Sequence, residues 1–282
     1  RVRGESGGEV PVYLLDTNLP ENQPWDRTLT DSLYGGDDHY RLCQEVVLGF
    51  GGHRLLRALG YGRLRRFHMN EGHAALLVLA LLEEKLGSGN HETAVSADLI
   101  DAVREHCVFT THTPVPAGHD QFSPELSHRV LGDRRCAWLK ACGHDHSLNL
   151  TQLALRGSRY VNGVAMKHGE VSHSLFPGYP IHSITNGVHA VTWAAPSFQT
   201  LYDRFLPDWR RDQLSLRYAI SVPGEEIWKA HQEAKRLLVE YVNHETNAGF
   251  DRDVLTLGFA RRAAAYKRGT LIFHDIERLA AI

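Results

Sequence analysis

Apolar segments of strand length alternate with amphipathic segments of helix length along this chain, and that alternation restricts its fold more than any other feature. Arg66–Asn70 predicts a short buried strand, Gly72–Lys85 a helix, Ser96–His106 a second helix, and Cys107–Thr113 a strand rich in Val, Phe and Thr. Such alternation belongs to the α/β class. It predicts a parallel sheet with helices on both faces, whose ligands bind beyond the carboxyl ends of the strands. Asn70, His112 and Arg261 fall at such predicted ends.

Nearer the amino terminus, Val10–Leu15 predicts a strand, the Tyr34-Gly35-Gly36-Asp37 stretch a turn, and Tyr40 to Leu59 a long helix. Gly51-Gly52 inside that helix costs roughly 2 kcal/mol against alanine, so a close-packed neighbour is the expected reason for the pair. Leu148–Leu155 and Val164–Leu175 predict helices, Ile181–Thr185 a strand, and Asn186-Gly187 a break. A helix from Glu225 to Asn247 and a strand at Val254–Phe259 then start a second α/β unit. The expected division is residues 1–185 and 186–282.

The 282 residues are 43% hydrophobic, enough to bury a sizeable core. Basic and acidic residues nearly balance at 31 and 33, so no global field favours nucleic acid or an anionic membrane. Ala74–Leu82, the longest apolar run, is too short to span a bilayer. Four cysteines without a CxxC pair suggest a reducing cytoplasm.

Chemistry concentrates in four places. His68-Met69-Asn70-Glu71-Gly72-His73 packs two imidazoles, an amide and a carboxylate into one strand-to-helix corner. That mixture suits sugar hydroxyls, and it also suits plain helix capping around a core histidine. Zinc is disfavoured, because the two histidines are not spaced as in HExxH. Cys107–His119 sets His112 at a strand end before a proline-bounded loop, where it can offer ring or carbonyl to a ligand, or simply satisfy a backbone partner. Asn186-Gly187 suits an ordinary turn, and Trp193 suits either the core or an aromatic platform. Finally, Arg261, Arg262, Tyr266 and Lys267 follow an apolar strand pattern, which marks an anion site, phosphate above all, at a strand-loop-helix junction. No GxGxxG follows that strand, so a nicotinamide site is poorly supported.

Six segments together resemble one family: YGGDDHYRLCQEVVLG (34–49), FHMNEGHAALLVLALLEE (67–84), VFTTHTPVPAGHDQF (108–122), RYVNGVAMKHGEVSHSLF (159–176), ITNGVHAVTW (184–193) and FARRAAAYKR (259–268). They resemble, in order, the α-glucan phosphorylases, the pyridoxal-phosphate-dependent glycosyltransferases that act on glycogen, starch and maltodextrin. The resemblance implies a GT-B fold, two Rossmann-like domains across a cleft, with the second one truncated here. It implies that Glu71 and His73 lie in the sugar site and that Val164, Asn186 and Tyr266 line the same pocket. His112 would stand beside the reacting glucosyl unit, its carbonyl facing the cationic anomeric carbon. Arg262 and Lys267 would hold substrate phosphate, while Arg261, where the family usually has lysine, and Trp193 would serve the cofactor. Ala264-Ala265 stand where the family commonly has His-Glu, which suggests the shorter bacterial or archaeal branch.

The implied reaction is retaining phosphorolysis of the terminal α-1,4-linked glucose to glucose 1-phosphate, with the proton supplied by substrate phosphate. Two phosphates held close repel by several kcal/mol at intermediate dielectric, on the order of the Coulomb term for charges a few ångströms apart; an Arg and Lys cluster offsets this. The implied partners are an α-1,4-glucan and inorganic phosphate, without nucleic acid or membrane, and homo-oligomerisation stays open. The lysine that bonds pyridoxal phosphate is expected beyond Ile282, so the piece alone is expected to be inactive. Two other readings are a glycoside hydrolase using Glu71 and a silent carbohydrate-binding fragment.

Overall fold

The structure is a computed structural model that describes the chain apart from residues 5–6, 34, 88–94, 145, 262–266 and the side chain of 117. The chain divides into two compact units, Val10–Gly187 with Arg1–Val2, and Val188–Ile282 with Arg3–Glu9.

The first unit is built on a parallel four-stranded sheet of β1 (Phe67–Asn70), β2 (Cys107–Thr110), β3 (Tyr160–Gly163) and β4 (Ile181–Ser183), in that spatial order. Its helices are α1 (Asp38–Val46), α2 (Gly52–Ala58), α3 (Leu77–Leu86), α4 (Ala97–Arg104), α5 (Pro124–Ala141), α6 (Leu150–Arg156) and α7 (Met166–Leu175). Every residue from Leu77 to Leu82 is buried, so this part of α3 is apolar all round and lies inside the unit, and the helix packs against α2, α4 and α5. Leu76, Leu79 and Leu82 are fully excluded from water, and each such side chain contributes roughly 1.5–3 kcal/mol. The helix starts are written in the sequence: Asp37, Ser96, Ser123 and Asn149 accept the backbone N–H of Tyr40, Leu99, Leu126 and Gln152.

Parallel pairing aligns Asn70 with Thr110, Thr110 with Asn162, and Gly163 with Ser183. The strands therefore end together. Whatever leaves β1, β2 and β3 at their carboxyl ends gathers at one edge of the sheet.

Several expectations change. Val10–Leu15 is not a strand: only Glu9–Val10 pairs, and 11–15 has no regular structure. The long helix continues through its glycines as a π-turn, Val47–Gly51, between α1 and α2. The close approach falls at Gly49, where a Cβ would meet Leu76 Cβ at 2.8 Å and Leu77 N at 2.9 Å, whereas nothing lies within 4 Å of one at Gly52. Leu148–Asn149 forms a short antiparallel ladder with Gln121–Phe122 before α6 begins.

The second unit holds α8 (Ala190–Trp193), α9 (Pro196–Phe205), α10 (Gly224–Thr246) and α11 (Ile276–Ala280). Two small clusters hold it together, one around Leu206 and Trp209 and one around Leu201, Val222 and Ala230. Val254–Phe259 is not a strand here. Its residues Val254, Leu255, Leu257 and Phe259 are exposed and the segment has no ladder partner among the described residues. Apolar alternation gives a segment strand propensity, but a strand exists only where a neighbour completes its hydrogen bonds.

Candidate functional site at the carboxyl edge of the sheet

β1 turns into α3 at Glu71, which takes φ 60° and ψ 178°. Positive φ is strained for a residue with a Cβ, and such strain persists where surrounding contacts fix it. The contacts are present. Glu71 N–H donates to the Thr110 carbonyl at 2.9 Å. The buried Glu71 carboxylate accepts the backbone N–H of His112 and, at 2.9 Å, the Thr113 hydroxyl.

His112 is held a second time: its Nε2 lies 2.7 Å from Asn70 Oδ1. The two residues that leave β1 thus fix the backbone and the ring of the residue that follows β2. Below them a polar chain crosses three strands. Thr110 donates to Asn162 Oδ1 at 3.0 Å, so its oxygen accepts from His68 Nε2 at 2.7 Å. Val164 follows β3, and its carbonyl accepts Asn186 N–H at 3.0 Å. Val164 is half-buried and Asn186 exposed.

His73 sits in a charged cluster that sequence reasoning missed. Its Nδ1 lies 3.0 Å from Glu45 Oε1 and 3.8 Å from Asp120 Oδ2, and Arg41 bridges Glu45 at 3.3 Å and Asp120 at 2.7 Å. The hydrogen bond to Glu45 raises the imidazole above its ordinary pKa, against opposing burial. Donor atoms of Glu45, His73 and Asp120 lie within 4.8 Å of one another, close enough to share a cation. The Arg41 guanidinium already brings positive charge to both carboxylates. A groove lined by Leu15, Leu29 and Leu48 leads to Arg41, Glu45 and His73. The available signal was the pairing of Arg41 and Glu45 at helical spacing, yet nothing local says that this charged face turns inward.

Two further buried histidines flank the loop. His119 pairs through Nδ1 with Thr151 at 2.9 Å, and His168 through Nδ1 with Ser172 at 3.3 Å. Burial lowers both pKa values, partly offset by the charge of Glu71.

The second unit carries the remaining candidates. Trp193 is 78% exposed, Arg261 is exposed, and Lys267 is half-buried beside Leu257, Phe259 and Leu271. Arg262 and Tyr266 lie outside the described residues. Because 254–259 forms no strand, Arg261 does not stand at a strand end, contrary to the expectation from sequence.

No family model matches the chain. It is 36% identical to the maltodextrin phosphorylase of Thermococcus litoralis over 98% of its own length and 36% of that protein's. It is 36% identical to the glycogen phosphorylase of Mycobacterium tuberculosis over 96% of its length and 36% of that protein's. The glycogen phosphorylase of Aquifex aeolicus is 34% identical over 98% of this chain and 44% of its own length. The chain thus spans less than half the length of these relatives. Among its described residues no helix is long and apolar enough to cross a membrane.

Proposed function

We propose that this chain, related over nearly its whole length to proteins named as glycogen and maltodextrin phosphorylases, works as part of an α-glucan phosphorylase with a GT-B arrangement. The protein transfers the terminal α-1,4-linked glucosyl unit of a glucan to inorganic phosphate with retention of configuration. The observation that carries this reading is the double anchoring of His112 by Asn70 and Glu71 at the carboxyl edge of a parallel sheet, where α/β proteins bind ligands.

In this reading the His112 carbonyl faces the anomeric carbon as positive charge develops there, and a fixed dipole is worth most when it needs no reorientation. Glu71 acts by holding His112. His73, Val164, Asn186 and Tyr266 line the sugar pocket, and Arg262 and Lys267 hold the attacking phosphate. The hydrolase alternative is weaker, because the Glu71 carboxylate is already engaged by His112 and Thr113, whereas glycoside hydrolysis needs a carboxyl acid free to reach the leaving oxygen.

Pyridoxal phosphate is part of the same proposal, with Arg261 and Trp193 as its contacts. When bound it supplies a second phosphate beside the substrate's. Arg261 and Trp193 are exposed and the segment before Arg261 is unpaired, so the described residues build no cradle for the group, and no step is assigned to it.

Substitution at Lys267 tests the phosphate role. In the full-length protein, Lys267→Ala should raise the KM for phosphate by about tenfold or more, the loss of one charge-assisted contact, with maltodextrin binding retained. Unchanged phosphate dependence removes Lys267 from the site.

A further inference from the structure

One charged residue interrupts the inner face of α1. Leu42, Glu45, Gly49 and Phe50 are the buried positions from α1 into the π-turn that continues it, and they are spaced as the apolar stripe of a helix is spaced. Leu42, Gly49 and Phe50 suit a core. Glu45 does not, yet it is only 2% exposed. Replacing a buried ion pair by packed apolar side chains is often neutral or stabilising, so stability alone gives no reason for a carboxylate at this position. A residue that breaks its local pattern in this way is expected at functional sites.

What the carboxylate holds is the His73 ring. Glu45 Oε1 lies 3.0 Å from His73 Nδ1, and Asp120 Oδ2 lies 3.8 Å from the same nitrogen. Both carboxylates are paired with Arg41, at 3.3 and 2.7 Å, and a carboxylate so paired is an acceptor only. The hydrogen therefore sits on Nδ1. The shape of the imidazole then puts Nε2 on the ring edge away from Glu45.

The ring passes from the interior to the surface. The Glu45 side chain is 3% exposed and that of His73 33%, so the anchored edge of the ring is its inner one. Its outer part borders a groove of about 420 Å³, within the usual range of ligand sites, about 300–1,000 Å³. His73 reaches this place from the turn Gly72–Ala74, which follows Glu71. A side chain of α1 thus sets the direction of a ring carried by the carboxyl edge of the sheet.

We propose that Glu45 is a positioning residue of the glucan site: it fixes the hydrogen on Nδ1 of His73 and so turns Nε2 toward a hydroxyl of the bound glucan. This rests on the phosphorylase reading, in which His73 lines the sugar pocket. Glu45 itself touches no substrate, and Arg41, braced by Asp120, holds its carboxylate in place.

The test uses the full-length protein with Glu45→Leu, which removes the acceptor, Glu45→Gln, which keeps one, His73→Ala, and the double variant of Glu45→Leu with His73→Ala. The KM values for maltodextrin and for phosphate are measured with kcat. The positioning role predicts that Glu45→Leu raises the maltodextrin KM about tenfold or more and leaves the phosphate KM within about threefold, the pattern of a lost glucan contact. Glu45→Gln should stay within about threefold of wild type for both. His73→Ala should cost as much as Glu45→Leu, and in its presence Glu45→Leu should add less than about twofold, because residues that act through one contact are not additive. Glu45→Asp, which withdraws the oxygen from Nδ1 by one methylene and keeps the charge beside Arg41, replaces Glu45→Leu in the cycle if the leucine variant does not fold. An unchanged maltodextrin KM, equal losses in the glutamine and leucine variants, or full additivity in the double variant overturns the role. A wild-type protein that binds maltodextrin without phosphate-dependent turnover overturns the functional reading instead, and the same cycle read in dissociation constants still decides the role of Glu45.

Discussion

The carboxylate of Glu71 accepts the backbone N–H of His112, so the residue that leaves β1 fixes the one that follows β2. Removing that acceptor leaves a half-buried N–H and the Thr113 hydroxyl unpaired. Glu71→Ala should therefore destabilise the protein by about 2 kcal/mol, the cost of a stranded buried donor, and lower Tm accordingly. Glu71→Gln keeps an acceptor oxygen and should cost about half as much. Equal melting of Glu71→Ala and wild type would show that the carboxylate holds nothing.

Two glycines of the first helical stretch should respond in opposite directions. At Gly49 an added Cβ meets Leu76 Cβ at 2.8 Å and main-chain atoms of Leu76 and Leu77 at 2.9 Å, so Gly49→Ala should cost about 2 kcal/mol or more through overpacking. At Gly52 the space is open and φ is −59°. Gly52→Ala should stabilise the helix by about 0.5–1 kcal/mol. Chemical denaturation of the two variants reads both, and a destabilising Gly52→Ala would contradict the packing described.

His73 makes stability depend on pH with a definite sign. Its pKa in the fold lies above the ordinary imidazole value, chiefly through the Glu45 hydrogen bond. Its contribution is complete below about pH 6.5, the unfolded value, and is lost as pH rises through the raised folded pKa. The window lies above the ordinary histidine titration. His119 and His168 have lowered values from burial and act oppositely, contributing above their unfolded pKa and losing that contribution as pH falls. His73→Gln should therefore flatten the fall in Tm on the alkaline side and leave the acid side unchanged. A wild-type alkaline slope retained in His73→Gln would remove the Glu45 pair as its cause.

Much of the scaffold was legible because strand and helix periodicities are local. The predicted strand Arg66–Asn70 appears as Phe67–Asn70, Ser96 caps the helix that follows it, and Ile181–Thr185 appears as Ile181–Ser183. The site was legible in its residue types at His68–His73 and His112. Its wiring was not. Glu71 reaches His112 across 41 positions, through the parallel register of β1 and β2, and His73 reaches Glu45 across 28, through the packing of α1. Val254–Phe259 fails for the complementary reason: its apolar pattern is local, whereas the ladder a strand needs is supplied from elsewhere.

Phosphorus NMR of the full-length protein incubated with maltodextrin, inorganic phosphate and pyridoxal phosphate separates phosphorolysis from hydrolysis in one experiment. An α-glucan phosphorylase converts the signal of inorganic phosphate into that of α-glucose 1-phosphate as the glucan shortens, and leaves the glucan intact when phosphate is omitted. Free glucose or shortened glucan formed while the phosphate signal stays unchanged would contradict the phosphorylase reading.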